Sequence, residues 1–166
     1  GQYGASVSST SHRPELPRYV RITDIDDSGR LNADVRSPAG PPEGWERHGL
    51  HDGDFLFARS GATVGKVYRY RDEDGPCVYA GYLIRFRLRS DLIKPDFLMG
   101  FTRTEEYANW VAARQNVVAQ PNINAKQYGQ ELLVPVPDPA HLHIHDAFSR
   151  GTSDVGSKTD GSQQLG

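Results

Sequence analysis

Glycine and proline punctuate this chain so closely that few stretches are left for regular structure: seventeen glycines and eleven prolines fall within 166 residues. Glycine frees the backbone for turns, whereas proline fixes φ and removes an amide donor. A chain interrupted this often builds many short elements rather than long helices. Its length suits a single domain, which buries about 70% of the surface its unfolded form exposes. With 37% apolar and 10% aromatic residues, one real core is within reach. The expectation is a mixed, loop-rich fold.

Cys77 is the only cysteine, so neither an internal disulfide nor a Cys-rich zinc site can be assembled, and a reducing cytoplasm fits best. No segment approaches the roughly 18 consecutive apolar residues of a membrane helix, and residues 1–11 are too polar for a signal peptide. A soluble, cytoplasmic protein without membrane contact is expected. The net charge of −2 argues on its face against a nucleic-acid binder, because phosphate neutralisation is the usual source of affinity. Its distribution is uneven. Between residues 54 and 89, Arg59, Lys66, Arg69, Arg71, Arg85, Arg87 and Arg89 face only Asp54, Asp72, Glu73 and Asp74, a modest basic region.

Residues 1–14, rich in Gly, Ser and Thr, predict an extended loop. Residues 18–25 (RYVRITDI) alternate apolar and polar and end at Asp26, Asp27, Ser28 and Gly29, a strand followed by a turn. Residues 38–44 (PAGPPEG) break regular structure. The run Phe55, Leu56, Phe57, Ala58 and the alternation over 64–70 predict two strands joined across a Gly-rich turn, and residues 78–88 a strand with one wet face. Residues 96–114 carry the best helix pattern, with Pro95 at its start and Phe97, Leu98, Phe101, Tyr107, Ala108, Trp110 and Val111 on one stripe. A short Asn-capped helix over 122–130 and a strand over 132–136 are expected to follow, stopped by Pro135, Pro137 and Pro139. From residue 140 onward the chain reads as a disordered tail, because so few apolar residues cannot offset the entropy of ordering it.

Several motifs suggest chemistry and then fail on spacing. Residues 61–66 (GATVGK) mimic a phosphate loop, but one residue is missing between the glycines and Val67 stands where a magnesium-binding hydroxyl belongs. A turn offering a DNA-phosphate contact and a purely structural turn both remain open. Asp24, Asp26 and Ser28 begin like a calcium loop whose twelfth position is Val35, so the cage cannot close. His141, His143 and His145 would share one face of a strand, yet they border the tail and lack a rigid second shell. No Asp or Glu has a Lys two residues on, which a common type of magnesium nuclease needs. Cys77 reads as a buried thiol. The run 114–126 (RQNVVAQPNINAK) is different, because amides pair with adenine, arginine with guanine and lysine with phosphate. A polar loop with an Asn cap explains it equally well.

Residues 52–66 (DGDFLFARSGATVGK) resemble the GDILFARSGATVGK block of type I restriction-modification specificity subunits. In the family's order there also stand Tyr3 and Gly4, residues 17–25 (PRYVRITDI), 79–85 (YAGYLIR), 120–124 (QPNIN) and 134–137 (VPVP). The resemblance covers residues 1–139. It implies a target recognition domain of α+β fold, a twisted β-rich portion beside a small helical one, that reads one half of a split site in double-stranded DNA. Methyltransferase (M) subunits and a restriction (R) subunit would be its partners. It implies no cofactor and no catalysis within the chain itself. Together with the polar run it points to DNA contacts at Tyr3, Ser6 and Arg13, at Arg59, Ser60, Thr63 and Lys66, and at Arg114, Gln115, Gln120, Asn122, Asn124 and Lys126. Arg59 and Lys66 would hold the backbone, with the N-terminal loop and residues 115–124 reading bases. Where the family would begin a spacer helix, residues 140–166 carry no heptad pattern, so a fragment of a two-domain subunit and a truncated gene product both stay open. Two other readings stay open: the recognition module of a fused type IIG restriction-methylation enzyme, and an interaction or inhibitory module for methyltransferase subunits that does not bind DNA.

Overall fold

The computed structural model describes residues 1–88, 93–115 and 121–136. Among them are eight short strands, β1 (Gln2–Tyr3), β2 (Ser9–Ser11), β3 (Arg18–Val20), β4 (Arg36–Pro38), β5 (Phe55–Ala58), β6 (Val67–Arg69), β7 (Cys77–Tyr79) and β8 (Leu83–Phe86). Two helices follow, α1 (Pro95–Phe101) and α2 (Glu105–Gln115), then a π-helical turn at Gln127–Glu131. Gly1–Val134 forms one compact unit; Pro135–Gly166 separates as another, of which only residues 135 and 136 are described. The expected tail and the alternating histidines lie outside the described residues. No described helix is long and apolar enough to cross a membrane.

The fold is α+β, and β5 explains its layering. All four residues of β5 are buried, and the pleat sends them alternately to two different cores. Phe55 and Phe57 meet Ile84, Leu98, Phe101, Tyr107, Val111, Ile123 and Tyr128 on the helical side. Leu56 and Ala58 meet Val20, Ile25, Tyr68, Tyr70, Cys77, Tyr79 and Leu83 on the other. A short continuous apolar run is therefore a strand buried on both faces. The central sheet has the order β1-β8-β5-β6, antiparallel throughout. Two smaller pairs complete the β portion: β3 with β7, parallel, and β2 with β4, antiparallel. Cys77 is buried as expected, and burial pushes its thiol up to about 12.

Six sequence expectations need correction. Residues 1–14 are not merely loop: β1 adds to the edge of β8, and β2 pairs with β4. These strands draw their stability from partners far along the chain, which local periodicity cannot reveal. The strand over 18–25 stops at Val20, because the buried Asp24 carboxylate accepts from the Arg21 amide at 2.8 Å and its guanidinium at 2.5 Å, coiling residues 22–24 into a 3-10 turn. The strand over 78–88 is two strands around a tight turn, in which the Leu83 amide donates to the Ala80 carbonyl at 2.9 Å. Leu83 and Ile84 are both fully buried, so β8 has no simple wet face.

The helix over 96–114 breaks after Phe101. Thr104 caps α2, accepting from the Tyr107 amide at 3.3 Å while its hydroxyl donates to the Phe101 carbonyl at 2.8 Å. The later helical turn begins after Asn124 rather than at Asn122. Residues 132–136 form no strand, and Leu133 is exposed.

Candidate nucleic-acid interface

Three segments distant in sequence converge around Arg59. Its guanidinium lies 4.6 Å from the centre of the Tyr3 ring, within cation–π range. Its Nε donates to Asn122 Oδ1 at 3.4 Å. The backbone holds the group in place: Ser60 forms a β-bridge to Asn122, and the Ile123 amide donates to the Arg59 carbonyl at 2.8 Å. The Ala125 amide donates to the Tyr3 hydroxyl at 3.1 Å, while fully buried Ile123 anchors the loop in the helical-side core. Arg59 makes no ion pair among the described residues.

Arg59 stands at the edge of a groove of about 700 Å³ between the N-terminal segment and the β7–β8 turn, with Ser6, Ser8, Ser9, Thr23 and Tyr82 also lining it. Two close approaches shape its walls. A Cβ on Gly4 would come within 2.3 Å of the Ala80 carbonyl oxygen, so only glycine lets these backbones meet. The Tyr19 hydroxyl lies 2.9 and 2.8 Å from the carbonyls of Ala5 and Val7, fixing the segment that carries Ser6; burial raises the Tyr19 pKa and keeps that hydroxyl protonated.

The other candidates go elsewhere. Thr63 donates to the Ser60 carbonyl at 3.4 Å within its own turn. Lys66 Nζ pairs with Asp27 at 2.8 Å and lies 3.4 Å from the Ile25 carbonyl. With Gln115 it lines a second groove, of about 370 Å³, which also contains Asp26, Asp27 and Arg103. The Arg114 guanidinium stacks 3.8 Å from the Trp110 ring centre and pairs with Glu131 at 3.2 Å. Asn124 and Gln127 cap each other, each side chain accepting from the other's amide at 2.9 Å. Arg13 pairs with Glu15 at 2.8 Å, and Lys126 is exposed. Gln120 lies outside the described residues. The modest basic region is largely neutralised within the fold. Asp54, 2% exposed, takes Arg87 at 2.8 Å and Arg85 at 3.6 Å, and Arg69 pairs with Asp96 at 2.5 Å.

Carboxylates distinguish the grooves. A third, of about 500 Å³, includes Glu73, Asp74 and Asp96, and the Lys66 groove includes Asp26 and Asp27. Among the described residues no acidic side chain lines the Arg59 groove; of its two arginines, Arg21 is held by Asp24 and Asp34, leaving the Arg59 charge available. Sequence reasoning passed over Tyr82, which stands 62% exposed on this groove. The signal was its place in a Gly-containing turn between two apolar strands. Among the described residues no cluster of three or more His, Cys, Asp or Glu could hold a metal ion.

No family model matches this chain, and no curated protein does. Among solved structures it is similar to a chain from work described as the structural basis of complex assembly and conformational transition of the type I R-M system, with a TM-score of 0.57 and 14% identity. The likeness covers 89% of this chain and 40% of that one, so this chain spans two fifths of its length. At that identity the likeness is one of fold.

Proposed function

We propose that this chain is a target recognition domain, carried by residues 1–139, that reads one half-site of double-stranded DNA for a type I restriction-modification complex. The single observation that carries the reading is Arg59, an arginine without an ionic partner among the described residues, which holds the Tyr3 ring and the Asn122 amide beside it and lines a groove to which no described carboxylate contributes. Arginine and asparagine are the side chains that read guanine and adenine edges, so Arg59 is assigned here to bases instead of the backbone contact expected from the sequence, and hydroxyls hold phosphates. The sequence blocks resembling specificity subunits and the fold shared with a chain of a type I R-M structure point the same way. Methylation and cleavage belong, in this reading, to the partner methyltransferase and restriction subunits, and the chain needs no cofactor of its own.

The net charge of −2 favours one rival, a module that occupies methyltransferase subunits without touching DNA. Fluorescence anisotropy separates the two, using the full chain alone and with its companion methyltransferase subunits against duplexes of differing sequence. Sequence preference, with affinity that falls as salt rises, supports recognition. Binding to the subunits with equal indifference to every duplex sinks it.

A further inference from the structure

Tyr82 projects from a turn of the candidate face that three backbone hydrogen bonds hold. The Tyr82 carbonyl accepts from the Arg59 amide at 3.0 Å, the Ala80 carbonyl from the Leu83 amide at 2.9 Å, and the Gly81 amide donates to the Ala5 carbonyl at 2.8 Å. Three segments therefore clamp the backbone of a residue whose side chain is 62% exposed. A ring left in solvent on a rigid turn adds little to folding, but it offers contact area at low entropic cost, having only two side-chain torsions to fix.

Its surroundings select the partner. The groove beneath it presents the hydroxyls of Ser6, Ser8, Ser9 and Thr23, the guanidinium of Arg59 and no carboxylate. Phosphates accept from hydroxyls and are repelled by carboxylates, which line both other grooves. We infer that Tyr82 is a specificity-determining residue. Duplex DNA lies along this groove with its phosphates on the seryl and threonyl hydroxyls, and the Tyr82 ring packs against the base step beside the one Arg59 reads. The inference rests on the recognition reading above and deepens it by naming a side chain and its contact.

The test is selection from a randomised duplex library by the full chain, followed by titration of the enriched duplex, for wild type, Tyr82→Phe and Tyr82→Ala. Tyr82→Phe keeps the ring and is expected to retain sequence and affinity within about 3-fold. Tyr82→Ala is expected to lose about 10-fold, the scale of truncating one aromatic anchor at an interface, and to relax preference at one or two adjacent positions, with its melting curve unchanged. In parallel, photo-cross-linking the wild type to the library carrying 5-iododeoxyuridine should attach nucleotide to the tryptic peptide of residues 72–85. Tyr82→Ala enriching the same sequence with the same affinity, or adducts mapping only elsewhere, overturns the role of Tyr82 while recognition stands. Wild type enriching no sequence overturns recognition itself, and this inference with it.

Discussion

Two grooves draw on opposite ends of one segment, residues 59–66 between β5 and β6, yet the fold uses them in opposite ways. On the Lys66 side the polar groups are already engaged: Lys66 holds Asp27, and Arg103 donates to the Ser28 carbonyl at 3.0 Å. The Tyr107 hydroxyl donates to the Gly65 carbonyl at 2.7 Å, closing the turn against α2. On the Arg59 side the guanidinium has a ring and an amide for company and no carboxylate. A basic residue in a sequence thus states a charge but not whether that charge is free. Here seven positions along the chain separate a cation built into the fold from one left over for a ligand.

If that contrast is right, Gly65→Ala should produce the largest effect and confine it to stability. Gly65 has φ +89, and a Cβ there would sit 2.8 Å from Val111 Cγ1. Left-handed strain and overpacking together are expected to cost about 3 kcal/mol, read as a lower denaturation midpoint. Affinity per folded molecule should hold. A variant of wild-type stability would show that α2 does not need this contact.

Arg59→Ala should do the reverse. Loss of one base-reading arginine is expected to weaken the preferred duplex by about 2 kcal/mol, roughly 30-fold, with unchanged melting. Arg59→Lys should not rescue it, because an ammonium lacks the planar fork. Parallel loss of stability and binding would instead make Arg59 a structural residue and erase the difference between the two sides.

Lys66 offers a smaller and more informative test. Asp27 is 95% exposed, so its ion pair with Lys66 is weak. If DNA phosphate displaces Asp27, Lys66→Ala should lower affinity about 3-fold for every sequence alike. Asp27→Asn should raise it by about as much, by removing the competing carboxylate. Opposite signs measured by anisotropy at one salt concentration would place Lys66 at the edge of the contact. No change in either variant would leave the Lys66 groove purely structural.

The uneven success of the sequence reading has the same origin as this contrast. The β5 run and its turn were readable because burial on both faces leaves an unbroken apolar string between glycines. The sequence singles out Tyr3, Arg59, Ser60 and Asn122, and their side chains and backbones do meet. What stayed hidden was set by distance along the chain. The β3–β7 pair joins residues 18–20 to 77–79, and Asp27 neutralises a lysine 39 positions away. Periodicity cannot register a three-residue strand whose partner is elsewhere. The break between α1 and α2 was local but equally silent, because it depends on Thr104 turning its hydroxyl to the backbone.

The smallest expected effect separates fold from face by pH. His48 is buried, edge-on to Tyr79 with ring centres 5.7 Å apart. Desolvation first, then the charges of Arg47 and Arg85, lower its pKa from the ordinary 6.5. The unfolded chain therefore takes up this proton before the folded one does, and acid favours unfolding. The neutral form's contribution is complete above about pH 6.5, erodes as pH falls through that value, and stops eroding below the lowered folded pKa. Melting temperature should decline slightly between pH 7.5 and 5.5, and His48→Gln should flatten that part of the curve. Among the described residues no histidine lines the Arg59 groove, so duplex affinity per folded molecule should stay level over the same range. An affinity that tracked the His48 transition would mean that the core beneath β7 and the groove beside it respond as one unit.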